Sequence, residues 1–407
     1  MENVYDTLKN RGFIDSCTHE DEIIEILGRE KIAFYVGFDP TADSLHVGHY
    51  LVAMALSHMQ RAGHTPILLM GGGTGLVGDP TDKTEMRRLM DNDEIDYNIN
   101  AFKRQLSHFI DVSDGKAFIV NNADWLLNLK YLPFIREYGV HFSVNKMLTA
   151  DAYKTRLEKG LSFFEFNYQL LQAYDFLELY RKHNCRLQMG GRDQWSNIIA
   201  GVELIRKTER ANAYGITFTL LERSDSQKMG KTSKGAVWLD GTKTSPYEFF
   251  QYWRNVDDRD VTRFMKLLTY LSLDKIKEYE KLEGSDINSA KDVLAFEITK
   301  NVHGEPAAKD AQSAAKNLFT GSIGGEDSVP TTRLSAGDAK DGLNIILLLE
   351  KAGLISSRGE GRRLITQGGI KVNGENVTSI DKTYFEDDFA KDFLIQKGKK
   401  VYHRIKL

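Results

Sequence analysis

The first half of the chain alternates short apolar stretches with helical patterns, and this alternation limits the possible folds more than any other feature. Strand patterns lie at residues 31–38, 65–70, 116–120 and 187–189. Continuous apolar strands between helices are typical of a parallel sheet that is covered on both faces. The sequence therefore predicts an α/β, doubly wound, Rossmann-like domain over residues 1–225. In such sheets ligands bind beyond the carboxyl ends of the strands, where polar clusters follow the strands in this chain.

Two histidines, His46 and His49, follow the first strand pattern and open a helical pattern at residues 45–61. Residues three apart share one helix face, and the first turn of a helix carries unpaired N–H groups and a positive dipole end. We therefore expect both imidazoles to project from a bare helix N-terminus, with Gly48 leaving room for a ligand. This arrangement suits a nucleoside triphosphate, and ordinary surface or capping histidines are the alternative.

A second motif, Lys228-Met229-Gly230-Lys231-Thr232-Ser233, lies much further along the chain. Alone it would indicate a solvated basic turn. In this order the two motifs resemble the signature sequences of class I aminoacyl-tRNA synthetases, and the surrounding residues resemble the bacterial-type tyrosyl-tRNA synthetases over nearly the whole chain. The resemblance implies ATP-dependent activation of L-tyrosine to tyrosyl-adenylate and transfer of tyrosyl to the 3′ end of tRNA(Tyr). It also implies a homodimer that uses ATP with Mg²⁺.

Activation of an amino acid requires attack of its carboxylate on the α-phosphate of ATP, so the substrates supply the nucleophiles. The protein has to align the reactants and neutralise the phosphate charge. By resemblance, the catalytic residues are Thr41, His46, His49, Lys83, Arg87, Lys228, Lys231 and Thr232. The ATP-binding residues by resemblance are Asp39, Gly48, His49, Asp193 and Lys231. For Lys83 and Arg87, which lie four residues apart, an exposed basic helix face is the alternative.

The helical pattern at residues 165–176 carries Tyr168, Gln172 and Asp175 at spacings that place them on one stripe. Such a stripe is normally an apolar core face, so these polar groups must bind each other, water or a ligand. A buried polar network without a ligand is one possibility. The resemblance implies the other, a tyrosine pocket formed by Tyr35, Asp79, Tyr168, Gln172, Asp175 and Gln194.

The resemblance also assigns the parts of this pocket. Tyr168 and Gln172 would hold the ammonium group with help from Asp79, and Gln194 would lie near the ammonium and the carboxylate. Asp175 would accept a hydrogen bond from the phenol, with Tyr35 as the second partner. Rejection of phenylalanine is a known property of the family and is not a deduction from these residues. Arg192 stands where a smaller residue is expected.

The second half of the chain predicts three further parts. Residues 226–320 would hold the lysine motif and an α-helical domain, residues 321–339 a linker, and residues 340–407 a small α+β module. Although the whole chain has a net charge of −3, the last part has 13 Lys and Arg against 9 Asp and Glu. A basic module on an acidic body is an electrostatic footprint of nucleic-acid binding, and chance asymmetry is the alternative.

The C-terminal module shows a local pattern of its own. A capping-box pattern starts at Ser357, a glycine pair ends the helix, and Asn373-Gly374 predicts a hairpin turn. This pattern resembles the S4 RNA-binding module, whose RNA-binding residues here would be Arg358, Arg362, Arg363 and Lys371. A solvated helix face is the alternative. Gly359 and Gly361 are weak helix formers at the start of the predicted helix.

Length and composition limit the remaining choices. A chain of 407 residues predicts two or three domains. Cys17 and Cys185 are the only cysteines, which argues against a disulfide framework or a cysteine-rich metal site. Residues 1–21 have no apolar core of signal-peptide length, and no apolar run has the length of a membrane span. We therefore predict a cytoplasmic protein without a dedicated metal site.

Three alternative functions remain at this point. A tryptophanyl-tRNA synthetase would need an acceptor for an indole N–H, whereas Tyr35 with Asp175 favours a phenol. A nucleotidyltransferase that forms small-molecule adenylates usually lacks both the lysine motif and an RNA module. A non-catalytic RNA-binding relative would be expected to have lost His46, His49 or the lysines, and all of them are present.

Overall fold

The computed structural model describes residues 3–81, 90–150, 153, 156–158, 160–225, 229–232, 235–320, 331–340, 342–390, 393–398 and 401–407. For residues 231, 232, 317–320 and 336 it describes the backbone alone. The chain forms two compact units. The first comprises Met1–Thr244 and Val256–Val302, and the second comprises Ser245–Asn255 and His303–Leu407. Within the described residues, no helix has both the length and the apolar character that a membrane span requires.

A six-stranded sheet forms the centre of the first unit. Its strands are β1 (Ile14–Cys17), β2 (Ala33–Phe38), β3 (Thr65–Met70), β4 (Phe118–Asn121), β5 (Cys185–Gly191) and β6 (Tyr214–Phe218). They are ordered β1-β6-β5-β2-β3-β4, and all neighbours run parallel except β1 with β6. The predicted parallel α/β sheet is therefore confirmed. The antiparallel edge strand β1 was not predicted, because its four residues, IDSC, lack an apolar run.

Helices surround this sheet. The α-helices of the first unit are Val4–Arg11, Glu20–Arg29, Val47–Arg61, Thr74–Val77, Asn92–Leu106, Ala123–Leu126, Tyr131–Glu137, Val144–Leu148, Phe163–Phe166, Tyr168–His183, Trp195–Glu209, Val261–Leu268, Leu273–Tyr279 and Ile287–His303, the last of which ends one residue beyond it. Short 3-10 helices lie at Gly139–His141, Arg192–Gln194, Asp258–Asp260 and Gly284–Asp286. A short hairpin joins β7 (Lys231–Thr232) and β8 (Gly235–Ala236). Buried aliphatic and aromatic side chains from the sheet and from two long helices, Tyr168–His183 and Trp195–Glu209, form one core.

The position of β2 in the strand order places a crevice at the end of the sheet where the parallel strands have their carboxyl ends. β2 lies in the middle, with β3 on one side and β5 on the other. Ligands bind at such a reversal of strand order, beyond the carboxyl ends of the strands. The glycine-rich turn after β3 approaches this crevice closely, because a Cβ atom on Gly71 would lie 2.2 Å from a carboxylate oxygen of Asp39.

The second unit contains two longer helices and a small mixed module. The longer helices are Pro246–Arg254 and Glu305–Thr320, which pack against each other. The module has helices Ala336–Ala339, Ile345–Lys351 and Arg358–Thr366 and a 3-10 helix at Glu386–Phe389. Its strands are β9 (Thr331–Arg333), β10 (Leu343–Asn344), β11 (Ile370–Val372), β12 (Glu375–Asn376), β13 (Thr383–Tyr384), β14 (Phe393–Lys397) and β15 (Val401–Lys406). One sheet has the order β12-β11-β14-β15-β9, and β10 pairs with β13.

Two predicted boundaries differ from this structure. Residues 226–320 were predicted to form one helical domain. In the structure, the helices Pro246–Arg254 and Glu305–Thr320 belong to the second unit instead. The predicted linker at 321–339 is also too long. β9 pairs in parallel with β15, and Leu334 donates its N–H to the Lys406 carbonyl over 2.7 Å. A three-residue strand of threonine and arginine has no apolar pattern, so it could not be predicted from the local sequence.

The glycines of the predicted RNA-binding helix have different explanations. Gly361 is buried, and a Cβ atom there would lie 2.9 Å from the Ile355 side chain. Close packing against a neighbouring segment therefore explains this glycine. Nothing in the structure explains Gly359. Ser357 caps the helix by accepting a hydrogen bond from the Glu360 N–H.

Candidate active site

One cavity of about 610 Å³ lies at the carboxyl ends of the central strands. It brings together twelve of the predicted site residues: Tyr35, Asp39, Thr41, His46, Gly48, His49, Asp79, Tyr168, Gln172, Asp175, Asp193 and Gln194. Lys83, Arg87 and Lys228 lie outside the described residues. The backbone of Lys231 and Thr232 is described as β7, whereas their side chains are not.

The two histidines cap the helix Val47–Arg61 reciprocally. The Nδ1 atom of His46 accepts the Gly48 N–H over 3.1 Å, and the Nδ1 atom of His49 accepts the His46 N–H over 3.2 Å. Their rings stack with centroids 4.0 Å apart. The expectation of a bare helix N-terminus is therefore wrong for these two N–H groups. Imidazole side chains satisfy them in the way that serine and glutamate do in a capping box.

This capping determines which ring nitrogens carry protons. A backbone N–H can only donate, so each Nδ1 atom is an acceptor and each neutral ring carries its proton on Nε2. Burial lowers the pKa of His49 well below its usual value, and the neighbouring His46 lowers it further. Both histidines thus present Nε2–H donors while they cap the helix.

The segment after the lysine motif lies directly beside the histidines. The Val47 N–H donates to the Val237 carbonyl over 3.1 Å, and the Leu239 N–H donates to the Leu45 carbonyl over 2.9 Å. His46 and Trp238 form an antiparallel bridge between these bonds. The two signature motifs, distant in sequence, therefore belong to one local structure.

Asp175 lies at the buried end of the cavity. It is only 1% exposed, and it accepts hydrogen bonds from Asn122 Nδ2 over 2.9 Å and from Trp125 Nε1 over 2.7 Å. Burial raises the pKa of its carboxyl to about 8; the charges of Asp39 and Glu178 act in the same direction and the two donors oppose them. Asp175 still has lone pairs for a further donor.

The hydroxyl of Tyr35 lines the same end. This side chain is 1% exposed, and its hydroxyl has no hydrogen-bond partner among the residues that the structure describes. Burial, followed by the charge of Asp175, raises the pKa of Tyr35 well above its usual value. A buried neutral hydroxyl without a partner is costly. It therefore indicates a ligand with a polar group at this end.

A second set of polar side chains in the pocket is linked by hydrogen bonds. Gln194 Nε2 donates to Asp79 over 2.7 Å, and Gln172 Nε2 donates to Gln194 Oε1 over 3.2 Å. The Tyr168 hydroxyl donates to Asp39 over 2.8 Å. Two carboxylates and two amide groups can together bind a cation. The predicted stripe of Tyr168, Gln172 and Asp175 therefore lies on one cavity wall and is not an apolar core face.

Sequence reasoning missed several residues of this pocket. Asn122 and Trp125 were not singled out as site residues, although the pair Asn121-Asn122 at the end of β4 was an available signal for the first of them. Gln188 lies opposite Tyr35 in the register of β5 with β2, and its buried Oε1 atom has no partner among the described residues. Arg192, which stands where a smaller residue is expected, has a side chain that is 68% exposed and lies 3.9 Å from Asp15.

The predicted RNA-binding residues lie in the second unit, on its mixed module. Arg362 and Arg363 are exposed on the helix Arg358–Thr366. Arg358 pairs with Glu350 over 3.1 Å, and Lys371 is half-buried on β11. All three arginines of the predicted set are thus exposed, and Arg358 shares its charge with Glu350.

Comparison with known proteins gives matches over the whole chain. The family model described as tRNA synthetases class I (W and Y) matches residues 28–320, and that of the tyrosine–tRNA ligase SYY-like C-terminal domain matches residues 323–405. The tyrosine–tRNA ligase of Acetivibrio thermocellus is 57% identical over 408 residues and covers all of both chains. That of Clostridium botulinum strain Loch Maree is 57% identical over 406 residues, covering 100% of this chain and 99% of the relative.

Solved structures give a consistent result for the fold. A C-terminally truncated mitochondrial tyrosyl-tRNA synthetase of Aspergillus nidulans superimposes with a TM-score of 0.70 at 27% identity, over 78% of this chain and 95% of that one. The Archaeoglobus fulgidus tyrosyl-tRNA synthetase complexed with L-tyrosine gives a TM-score of 0.58 at 16% identity, over 76% and 99% of the two chains. The latter likeness concerns the fold alone.

Proposed function

Since this chain belongs to the bacterial-type tyrosine–tRNA ligases of class I, we propose that tyrosine is activated in the cavity at the carboxyl ends of its sheet. The reaction of the family has two steps. The tyrosine carboxylate attacks the α-phosphorus of ATP and pyrophosphate leaves; a tRNA hydroxyl then attacks the adenylate carbonyl and AMP leaves. The chain thus activates tyrosine and charges tRNA(Tyr).

One observation carries the assignment of the site. Buried Asp175 and the unpartnered Tyr35 hydroxyl occupy one end of the cavity that also contains the two capping histidines. The phenol of tyrosine would donate to Asp175 and accept from Tyr35. Its ammonium would bind Tyr168 and Gln172 with help from Asp79, and Gln194 would lie near the ammonium and the carboxylate. Tyrosine-dependent exchange of pyrophosphate into ATP tests this function, and absence of exchange with pure protein would contradict it.

The ATP side of the proposal depends on donors near the helix N-terminus. Thr41 and the Nε2–H group of His46 would bind the phosphates as pyrophosphate leaves, and His49 would lie on the nucleoside side. Asp39, Gly48 and Asp193 would contact the nucleoside. For Lys83, Arg87, Lys228, Lys231 and Thr232 we retain the family roles in charge neutralisation as proposals.

Mg²⁺ would enter with ATP. The described residues contain no group of three or more histidine, cysteine or acidic residues that could hold a metal ion. Mg²⁺ is usually held by substrate phosphates and water with one or two carboxylates, so this donor set is compatible with its binding to ATP. Asp39 and Asp193, which line the cavity, are the carboxylates that we propose on the nucleotide side.

We also propose a cytoplasmic homodimer. Large apolar side chains are exposed between residues 127 and 164, namely Leu127, Tyr131, Leu132, Val140, Val144, Leu157, Phe163 and Phe164. Exposed apolar patches mark protein interfaces. Leu132, which is 77% exposed, is the most exposed of them. Replacement of Leu132 with aspartate should shift the protein from dimer to monomer in analytical ultracentrifugation. If the unsubstituted protein were already a monomer, the proposal would be refuted.

His46→Asn should slow adenylate formation by on the order of 10- to 100-fold while the KM for tyrosine changes less than about twofold. Asparagine is a good N-cap, so the helix keeps its cap. The Nε2–H donor on the far side of the imidazole ring is lost. Pre-steady-state activation kinetics measure the rate. His108→Ala, at an exposed position, is the control. A full forward rate in His46→Asn would exclude a role for this imidazole in the chemical step.

A further inference from the structure

We propose that Asn98 and Gln105 are positioning residues that hold the loop of residues 40–46 in the geometry required for phosphate transfer. Both lie on the helix Asn92–Leu106, which we call the anchor helix. They are seven residues apart, so they share one face of it. The inference rests on the proposed roles of Thr41 and His46.

Asn98 fixes the beginning of the loop. Its side chain is 3% exposed, and its Nδ2 atom donates to the Pro40 carbonyl over 2.9 Å. Pro40 follows Asp39 at the end of β2 and precedes Thr41. If the Pro40 carbonyl moved away, the buried amide of Asn98 would lose its hydrogen bond at a cost in free energy. Asn98 therefore restrains the backbone next to Thr41.

Gln105 fixes the end of the loop. Its Oε1 atom accepts the Leu45 N–H over 2.8 Å, and its Nε2 atom donates to the Ser44 hydroxyl over 3.2 Å. Ser44 is fully buried and donates in turn to the Leu45 carbonyl over 2.9 Å. These bonds hold the peptide that directly precedes His46.

The opposite side of the loop is held as well. Leu239 donates its N–H to the Leu45 carbonyl, and Lys243 pairs with Asp43 over 2.7 Å. The anchor helix also contributes Phe102, whose ring centroid lies 5.8 Å from that of His49. Thr41 therefore lies between two anchored points, and His46 follows the second one. A displacement of about 1 Å at such a site can cost on the order of 100-fold in rate.

The test compares the Gln105→Met and Gln105→Glu variants by pre-steady-state activation. Methionine has a similar length but cannot accept from Leu45, so adenylate formation should slow about 10- to 100-fold with the KM for tyrosine changed less than about twofold. Glutamate still accepts the Leu45 N–H and should recover most of the rate. A full rate in Gln105→Met, or no recovery in Gln105→Glu, would overturn the proposal.

A double-mutant cycle with Thr41→Ala separates positioning from general damage. If Gln105 acts through the loop, Gln105→Met should cost clearly less in the Thr41→Ala background than alone. Losses that multiply independently would contradict the proposal. Thr41→Ala at the full rate would instead refute the role of Thr41, and wild-type protein without tyrosine-dependent exchange would refute the proposed function itself.

Gln60→Met is the matched control. Gln60 is also a glutamine that anchors a loop, since its Nε2 atom donates to the Asp111 and Lys116 carbonyls over 2.8 and 3.1 Å. The Gln60→Met variant should have a lower melting temperature but the full forward rate of adenylate formation. A rate loss equal to that of Gln105→Met would overturn the proposal. If Gln105→Met does not fold, Ser44→Ala removes only the hydroxyl between Gln105 and Leu45. It should then show the same rate loss in smaller measure.

Discussion

Asp175→Ala is expected to raise the KM for tyrosine by on the order of 10- to 150-fold, while the KM for ATP changes less than about twofold. The loss corresponds to about 1.5–3 kcal/mol, the usual value of a hydrogen bond to a charged group. The substitution also leaves Trp125 without its acceptor and Asn122 with Thr74 as its remaining one. Steady-state exchange kinetics measure both constants. Equal weakening of tyrosine and ATP would indicate a structural role for Asp175.

Two comparisons make this expectation specific to the phenol. In the wild-type protein tyrosine should be preferred strongly over phenylalanine, and Asp175→Ala should reduce that preference because the buried acceptor is gone. Asp124→Asn changes an exposed carboxyl in the adjacent helix Ala123–Leu126. It should leave both constants unchanged.

The raised pKa of Asp175 adds a pH dependence with a definite sign. With a pKa of about 8, the carboxyl of the ligand-free protein is mostly protonated at pH 7. A phenol that donates to the ionised form lowers this pKa in the complex. At a pH between the pKa of the complex and that of the ligand-free protein, binding of tyrosine should therefore release a proton. Affinity should therefore rise with pH up to about 8 and level off above it.

Calorimetry in buffers of different ionisation enthalpy measures this proton release. The wild-type protein should release a fraction of a proton at pH 7, and Asp175→Asn should release none from this site. Proton uptake on binding, or an affinity that falls as the pH rises from 6 to 8, would show that the phenol does not meet an ionised Asp175.

The sequence predicted the sheet well because its central strands β2, β3 and β5 are largely buried. A strand such as β3, TPILLM, has no polar side of its own, so its apolar run marks it unambiguously. β1 and β9 are short and partly polar, and their place is determined by partners distant in sequence, β6 and β15. Neither partner is visible in the local pattern.

The site shows the same limit. Residue types and spacings identified His46, His49 and Asp175 as candidates, because each is unusual in its local pattern, whereas Tyr35 came from the family resemblance. The hydrogen bonds that orient them could not be predicted. Asn122 reaches Asp175 across 53 positions of the chain, and the histidines use their own imidazoles as caps, for which the usual capping residues give no precedent.

The C-terminal module has a larger predicted effect on charging than any single residue. Deletion of residues 321–407 should abolish charging of tRNA(Tyr) while tyrosine-dependent exchange persists, because the cavity residues all belong to the first unit. The deletion begins before β9, since a cut at residue 340 would leave that strand without β15. Aminoacylation with labelled tyrosine measures the loss. Charging at the full-length rate would refute RNA binding by this module.

Full-length variants test the same prediction without removing the module. Arg362→Ala with Arg363→Ala removes two exposed charges, and tRNA affinity should weaken while its slope against the logarithm of salt concentration flattens by about 1–2. Lys275→Ala with Lys277→Ala, which removes two exposed charges of the first unit, is the control for net charge. Because counterion release depends on contacts with phosphates and not on total charge, the control pair should keep the wild-type slope. If both pairs flattened it equally, the arginines would act only through net charge.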